Sequence, residues 1–371
     1  MARPRGLAAK LAAAQANQGQ YGSPYPAPAG AHVQQVYAPP PPQQGQYGQQ
    51  GGYAPPPGPP PAQHGGYAPL PPQQQPARPA FDPTRDVATI LRILEDGVKD
   101  QNLSHFYKPG SLQPIAQRIA QTGALATIAQ NWQLPLEIAM DMARLALFDT
   151  MLLCDDSASM SFAENGSRID DLKLVLSKVS LAAGLFDSDG IDESLIRWLN
   201  SKKEGNNINS ESQALELVSR IKFDRATPLG TSLRDKILEP LVYKKVKKNT
   251  LKKPALIVII TDGAPTGEPR DKIVKVIQES KAILGKTPYT PDAVSFQLAQ
   301  VGNDAEARDF LEWIDKHPQI GSLVDCTSNY EQECDDMAKG NPPVHLTPTL
   351  WLAKLLGPIH SAYDAADEGK R

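Results

Sequence analysis

Apolar side chains recur in two different rhythms along this chain, and one replaces the other near residue 148. Before that point apolar positions return at helical spacing, as in Val87, Leu91 and Leu94, which is typical of amphipathic helices. After it, short apolar runs alternate with helical patterns, and the run at 255–260 contains no polar residue. Such a run is typical of a strand that is buried on both faces of a parallel sheet.

The alternation predicts five strands and the helices that connect them. The strands are expected at 151–154, 194–199, 255–260, 293–301 and 321–324, and the helices at 168–186, 211–221, 233–243, 268–284 and 304–314. This order predicts an α/β fold with a doubly wound, mostly parallel sheet and helices on both faces. In such a sheet ligands bind beyond the carboxyl ends of the strands.

Composition changes abruptly near residue 80. The residues before it are rich in Pro, Gln, Gly and Tyr, and the first acidic residue of the chain is Asp82. With few large apolar side chains this segment cannot offset the entropy cost of folding, so we predict a disordered tail with polyproline II tendency in its proline runs. It is either a solvated spacer, which we favour, or a ligand for Pro-motif-binding modules.

These changes divide the chain into four parts. We predict a disordered Pro/Gln/Gly/Tyr-rich tail over 1–80, a small helical segment over 81–147, an α/β domain over 148–330 and a C-terminal helical extension over 331–371. No apolar run is long enough to span a bilayer, and no secretory signal is visible. We therefore expect a cytoplasmic protein, with the nucleus and the mitochondrion left open.

Three loops carry oxygen-bearing side chains beside the ends of the predicted elements. The loop after the first strand contains Asp155, Ser157 and Ser159, the loop after the most apolar strand contains Asp262, and a loop before a helix contains Thr227. Carboxylates and hydroxyls without His or Cys suit hard cations such as Mg²⁺, Mn²⁺ or Ca²⁺. Since the carboxylates are few, a bound ion keeps residual positive charge and attracts a carboxylate from outside.

The order Asp-x-Ser-x-Ser, then a distant Thr, then Asp-Gly after an apolar strand resembles the von Willebrand factor A (VWFA) domain with its metal-ion-dependent adhesion site. The resemblance covers residues 148–330, and Leu147-Phe148-Asp149 before the first motif is similar to soluble intracellular fungal-type members. It implies that the ion is bound directly by three hydroxyls and, directly or through water, by two carboxylates. These residues are Ser157, Ser159, Thr227, Asp155 and Asp262.

The resemblance further implies that a partner's Asp or Glu fills the sixth position on the ion. Thr231 is the alternative to Thr227 as the threonine ligand, and we favour Thr227 because it stands at the entrance of a helix. The expected function is a protein-binding module or adaptor that recognises a partner carboxylate through a divalent cation, and not an enzyme.

Two other functions remain open. A Mg²⁺-dependent hydrolase or phosphoryl-transfer enzyme would use Asp155 as its nucleophile, but position 157 is Ser where such enzymes usually carry a second carboxylate, and no Lys or Arg phosphate clamp follows a strand. The other alternative is a metal-independent scaffold that acts through the Pro-rich tail.

Charge and cysteine content narrow the partners. The formal net charge is −3, so no nucleic-acid partner is expected. The three cysteines do not stand at the spacing of metal ligands. The lysine-rich run at 244–253 is an import signal, an anion-binding patch or, as we favour, a solvated helix end. The acidic stretch 187–193 lacks the Gly and Glu positions of an EF-hand, and we predict a polar turn there.

Overall fold

The computed structural model describes residues 81–162, 166–186, 195–339 and 354–360. The predicted tail over 1–80 and the acidic turn at 187–193 lie outside the described residues, as do 340–353 and 361–371 of the helical extension predicted over 331–371. From Asp82 onwards the described residues belong to one compact unit.

A five-stranded sheet forms the centre of this unit. Its strands are β1 (Asp149–Cys154), β2 (Leu195–Trp198), β3 (Ala255–Thr261), β4 (Val294–Gln300) and β5 (Val324–Thr327). The strand order is β2-β1-β3-β4-β5, and every neighbouring pair is parallel. The chain therefore winds from β1 to one edge of the sheet, returns to β3 on the other side of β1, and continues to the opposite edge.

Helices connect these strands and also precede them. Before the sheet come α1 (Val87–Asp100), α2 (Leu112–Thr122), α3 (Ala124–Trp132) and α4 (Leu136–Asp141). Within and after it come α5 (Ser159–Phe162), α6 (Ser167–Phe186), α7 (Glu211–Ser219), α8 (in three parts, Leu229–Ser232, Leu233–Tyr243 and Lys244–Lys247), α9 (Lys272–Leu284), α10 (Ala305–Asp315) and α11 (Tyr330–Ala338). Short 3₁₀ turns cover Pro83–Arg85, Met142–Leu147, Pro291–Ala293, Gly321–Leu323 and Lys354–Ile359.

Both faces of the sheet are covered. Side chains alternate along each strand, so that Leu152 packs with the helices α1–α4, α6 and α7, whereas Met151 packs with α8, α9 and α10. The two resulting cores lie on opposite faces of the same sheet. This confirms the α/β class that the sequence predicts, and all the strand pairs are parallel.

The helical segment before β1 has no separate core. Ile90, Leu94 and Ile128 belong to the same buried cluster as Leu152 and Val258 of the sheet. Hydrogen bonds join the two parts as well, because the Arg118 guanidinium of α2 donates to the carbonyl of Phe186 at the end of α6 over 2.8 Å. The region over 82–147 thus forms one wall of the sheet's own core.

Three predicted elements differ from the structure by three or more residues at an end, and one of them is α8, which is predicted at 233–243 and covers 229–247. The last strand was expected at 321–324, but residues Gly321–Leu323 form a 3₁₀ turn and β5 occupies Val324–Thr327, so the pairing with β4 begins where the turn ends. The helix expected from residue 268 begins at Lys272. Among the described residues, no helix combines the length and the apolar character required to cross a membrane.

Candidate metal site

The carboxyl ends of β1 and β3 meet where the chain changes direction across the sheet. β1 lies between β2 and β3, so the connection from β1 leads to one side and the connection from β3 to the other. This strand order has its topological switch point at β1 and β3, which is where doubly wound sheets bind their ligands. Asp155 directly follows β1, and Asp262 directly follows β3.

Four of the five predicted ligands are joined by direct contacts. The Ser157 backbone N–H donates to Asp155 Oδ1 over 2.8 Å, which gives the loop an Asx turn. The hydroxyls of Ser157 and Ser159 are 3.0 Å apart, and the Ser159 hydroxyl donates to Asp262 Oδ1 over 2.9 Å. The sheet thus brings together the Asp-x-Ser-x-Ser loop and the Asp-Gly loop, as the spacing predicts.

The two carboxylates lie beneath the surface, and Ser159 lies closer to the solvent. Asp155 and Asp262 are both 0% exposed, whereas Ser159 is half-buried. A Cβ added at Gly263 would meet no described atom within 4 Å, so the backbone after Asp262 borders open space. The site is therefore approached from the side of Ser159 and Gly263.

The threonine loop lies beside the serine loop. Ser157 forms an isolated parallel bridge with Arg225, and the Ala158 N–H donates to the Arg225 carbonyl over 2.9 Å. Thr227 follows on this segment and is 3% exposed. Its backbone is held by Thr266, which exchanges hydrogen bonds with the Thr227 N–H and carbonyl.

The two candidate threonines differ in what their hydroxyls contact. The Thr231 hydroxyl donates to Glu268 Oε2 over 2.6 Å, and Glu268 also accepts from the backbone N–H groups of Gly230 and Thr231. Thr231 is exposed and serves the start of α8. Because the Thr231 hydroxyl is engaged by Glu268, Thr227 is the better candidate for the threonine ligand. In the described residues, no hydrogen bond links the Thr227 side chain to Asp155 or Asp262.

Sequence reasoning missed the two side chains that hold the carboxylates. The Arg168 guanidinium at the start of α6 lies 2.7 Å from Asp262 Oδ2 and 3.7 Å from Asp304 Oδ2. The Thr261 hydroxyl donates to Asp155 Oδ2 over 2.6 Å. In the sequence, Arg168 is an ordinary residue near the start of a helix and Thr261 is the end of a strand. No local pattern therefore indicates that either one contacts a buried carboxylate.

Asp156 is a third buried carboxylate, in the same loop as Asp155, but it holds neighbouring loops in place. It accepts hydrogen bonds from the backbone and side chain of Asn200 and from the Ser201 N–H, at 2.8 to 3.0 Å. The Asn200 amide in turn donates to the Ala226 carbonyl over 2.8 Å. Asp156 therefore ties the loop after β2 and the threonine loop to the end of β1.

The two carboxylates of the site are equally buried but differ in the charges beside them. The pKa of Asp155 is raised from 3.8 to about 7, mainly because burial removes its hydration and next because of the negative charge of Asp262, while the hydrogen bonds from Ser157 and Thr261 act in the opposite direction. Asp262 has the Arg168 cation beside it. One buried negative charge at this point therefore lacks a cation within the site.

The donor set fits a hard divalent cation. Among the residues described, no group of three or more His, Cys, Asp or Glu side chains is placed to hold a metal by itself, so an ion here must rely on hydroxyl oxygens as well. The contacts supply two carboxylates and two serine hydroxyls, all oxygen donors of the kind that Mg²⁺ and Ca²⁺ prefer. A cation between Asp155 and Asp262 would also offset the buried charge of Asp155.

No family model matches the chain. No curated protein matches it either. Membership of the VWFA family therefore stays a prediction that rests on the motifs and on their convergence at one edge of the sheet.

Proposed function

We propose that this chain is a protein-binding module that recognises a carboxylate of its partner through a bound divalent cation. The cation is Mg²⁺, or Mn²⁺ or Ca²⁺ in its place, and its ligands are Asp155, Ser157, Ser159, Thr227 and Asp262. The observation that carries the proposal is the chain of contacts from Asp155 through both serines to Asp262 at the switch point of the sheet. The resemblance to the VWFA adhesion site supports the same assignment.

The chemistry of the site favours capture of an anion. Two ionised carboxylates would neutralise most of the charge of a divalent cation, and neutral hydroxyls would not change that charge. Arg168 already shares the charge of Asp262, however, so this carboxylate neutralises the cation only in part. The cation therefore retains positive charge, and an Asp or Glu of a partner is its natural additional ligand.

The rim of the site suits a protein partner. Phe162 stands in the same one-turn helix as Ser159 and is 83% exposed. Aromatic side chains, Phe among them, are enriched in protein–protein interfaces. A partner would place its carboxylate on the cation and an apolar neighbour against Phe162.

The enzyme alternative is less well supported. A nucleophilic Asp155 needs an oxygen that reaches the substrate, but Oδ1 accepts from the Ser157 N–H and Oδ2 from the Thr261 hydroxyl. The side chain is also fully buried. Both features suit a carboxylate that supports a metal, and we favour binding over catalysis on that ground.

Two serines of one helical turn provide a matched test. In α5 the Ser159 hydroxyl donates to Asp262, whereas the Ser161 hydroxyl donates to the backbone carbonyls of Ala158 and Phe223. We expect Mn²⁺ to bind the full chain in a paramagnetic resonance titration, with acetate present as the external carboxylate. Ser159→Ala is expected to weaken binding by at least about tenfold, and Ser161→Ala to leave it unchanged.

The outcomes separate the proposal from its alternatives. If the parent chain binds no Mn²⁺, the metal mechanism is wrong and the fold alone stands. If Ser161→Ala weakens binding as much as Ser159→Ala, the effect comes from disturbance of α5 and not from a lost ligand. Binding of an Asp- or Glu-containing peptide should persist when residues 1–80 are removed, whereas a scaffold that acts through the tail would lose its partner.

A further inference from the structure

The amino end of the sheet, opposite the candidate metal site, collects lysines from two separate parts of the chain. The segment 244–254 leads from α8 into β3 and contains six lysines, and 281–288 leads from the end of α9 towards β4 and contains two more. β3 and β4 are neighbours that pair from their first residues, Ala255 with Val294. The two segments therefore both lie at the amino end of the sheet.

Two of these lysines serve the fold. The Lys245 ammonium lies 3.9 Å from Asp149, and Lys253 is buried. The remaining six are exposed, and within the described parts of the chain a carboxylate lies within reach of Lys247 alone, that of Glu239 at 4.0 Å. We call this set the lysine face: Lys244, Lys247, Lys248, Lys252, Lys281 and Lys286.

Helix dipoles explain only part of the lysine face. Cations are stabilised in the last turn of a helix, and this accounts for Lys244 and Lys247 in α8 and for Lys281 in α9. Lys248, Lys252 and Lys286 lie beyond the helix ends, where the effect of the dipole falls off. Neither segment contains an acidic residue. The concentration of positive charge is therefore larger than helix termination requires.

We propose that the lysine face docks this protein onto a membrane surface that carries anionic lipid headgroups. Clusters of four to eight basic residues are typical of surfaces that bind such lipids. Ile283, which is 40% exposed, lies in α9 between Lys281 and Lys286 and offers an apolar side chain to the interface. The chemistry recognised is that of lipid phosphate and carboxylate groups.

The composition of the lysine face favours lipid over nucleic acid. Neither segment contains Arg, whose planar fork is the usual choice for recognition of nucleic acids, and neither presents an aromatic side chain for stacking on bases, since Tyr289 beyond the second segment is buried. Lysine is a strongly hydrated point charge that suits a diffuse layer of headgroups. Nucleic acid is thus the competing ligand in the test.

The position of the lysine face leaves the metal site free. The two lie at opposite ends of strands that are seven residues long in β3 and β4, or roughly 20 Å at the usual rise per residue. A membrane held at the amino end would leave the carboxyl end pointing away from it. The proposal does not depend on the metal, because no ligand of the metal site belongs to the lysine face.

Vesicle binding tests the proposal. The full chain is mixed, in EDTA and at low salt, with vesicles of phosphatidylcholine alone or with about a third of phosphatidylserine, and sedimented. We expect binding only to the anionic vesicles and loss of binding in high salt. The triple variant Lys248→Gln, Lys252→Gln, Lys286→Gln should lower the partition coefficient about a hundredfold, since each lysine near the surface contributes about fivefold.

A matched triple variant controls for net charge. Lys202, Lys203 and Lys222 are exposed lysines of the loops at the other end of the sheet, and their replacement by Gln is expected to leave vesicle binding within about twofold. Equal loss in both triple variants would overturn the proposal, because net charge alone would then explain binding. Binding to neutral vesicles, or tighter binding to a short RNA than to the anionic vesicles at the same salt, would also overturn it.

Discussion

Asp155 and Asp262 are both fully buried, yet among the side chains that the structure describes only Asp262 has a cation beside it. Arg168 lies 2.7 Å from Asp262, whereas Asp155 is held by the Ser157 N–H and the Thr261 hydroxyl. Hydrogen bonds do not fully replace the hydration that a buried carboxylate loses, so the pKa of Asp155 rises to about 7. The metal-free protein therefore carries an electrostatic cost at Asp155 that a bound cation would remove.

The raised pKa of Asp155 predicts opposite effects of one substitution. The folded chain binds this proton more tightly than the unfolded chain, so its contribution to stability is complete below pH 3.8 and is lost as the pH rises to about 7. In EDTA at pH 8, Asp155→Asn should therefore be more stable than the parent, by roughly 1–3 kcal/mol, with a smaller difference at pH 5. With Mg²⁺ the order should reverse. Thermal unfolding at both pH values, with EDTA or Mg²⁺, measures this.

Asp156 provides the matched control for that substitution. Its carboxylate accepts three N–H groups, so Asp156→Asn removes acceptors and should destabilise the chain in EDTA as well as in Mg²⁺. A lower melting temperature for Asp155→Asn in EDTA at pH 8 would show that the Asp155 charge is not a burden in the metal-free state. It would also weaken the case that the site is built for a cation.

The sequence identifies the candidate ligands of the site better than the residues that hold them. Asp155, Ser157, Ser159 and Asp262 stand in local motifs, and the structure brings these four together. Arg168 meets Asp262 across 94 positions and could not be predicted from spacing. Such a pairing depends on where α6 crosses the sheet, which only the packed fold determines.

At the scale of elements, the start of α8 is capped by a residue of a different loop. Glu268 accepts hydrogen bonds from the Gly230 and Thr231 N–H groups, which are among those that a helix leaves unpaired at its beginning. Its negative charge also suits the positive end of the helix. The apolar pattern predicts a helix from residue 268, but α9 begins at Lys272, which leaves Glu268 in the loop that reaches α8.

Removal of Glu268 should therefore destabilise the protein more than removal of an ordinary surface glutamate. We expect Glu268→Ala to lower the free energy of unfolding by about 1–2 kcal/mol, because one charged cap with three hydrogen bonds is lost. Glu216→Ala removes only an exposed pair with Arg220 and should change it by less than about 0.5 kcal/mol. Urea denaturation measures both, and equal effects would contradict the capping role.

The width of α8 illustrates what apolar periodicity does not predict. Its central part, Leu233–Tyr243, is a π-helix and contains Pro240, which has no N–H to donate. A wider turn is one way in which a helix accommodates such an interruption. The apolar positions Leu233, Ile237 and Val242 remain buried, so the pattern predicts a helix correctly and carries no information about its hydrogen-bond register.

At the scale of the whole molecule, alternation of apolar runs and helical patterns is sufficient to predict the α/β class. It does not determine the order β2-β1-β3-β4-β5, which depends on how helices of both faces pack. The change of rhythm near residue 148 marks the end of the helical segment but does not show how that segment packs. The structure places Ile90 and Ile128 of the segment in one cluster with Leu152 of the sheet.

This shared cluster predicts that the helical region and the sheet unfold together. Trp132 of α3 and Trp198 of β2 are 1% and 0% exposed and belong to the same buried cluster, one on each side of the apparent boundary. Two variants are required, each with a single tryptophan at one of these positions and Phe at the others. In each, the urea transition followed by tryptophan fluorescence should coincide with that followed by far-ultraviolet circular dichroism.

If Trp132 reported an earlier transition than the dichroism, the helices would have a core of their own. The sheet would then fold without them, and the part that carries the candidate metal site could be isolated from residue 148 onwards.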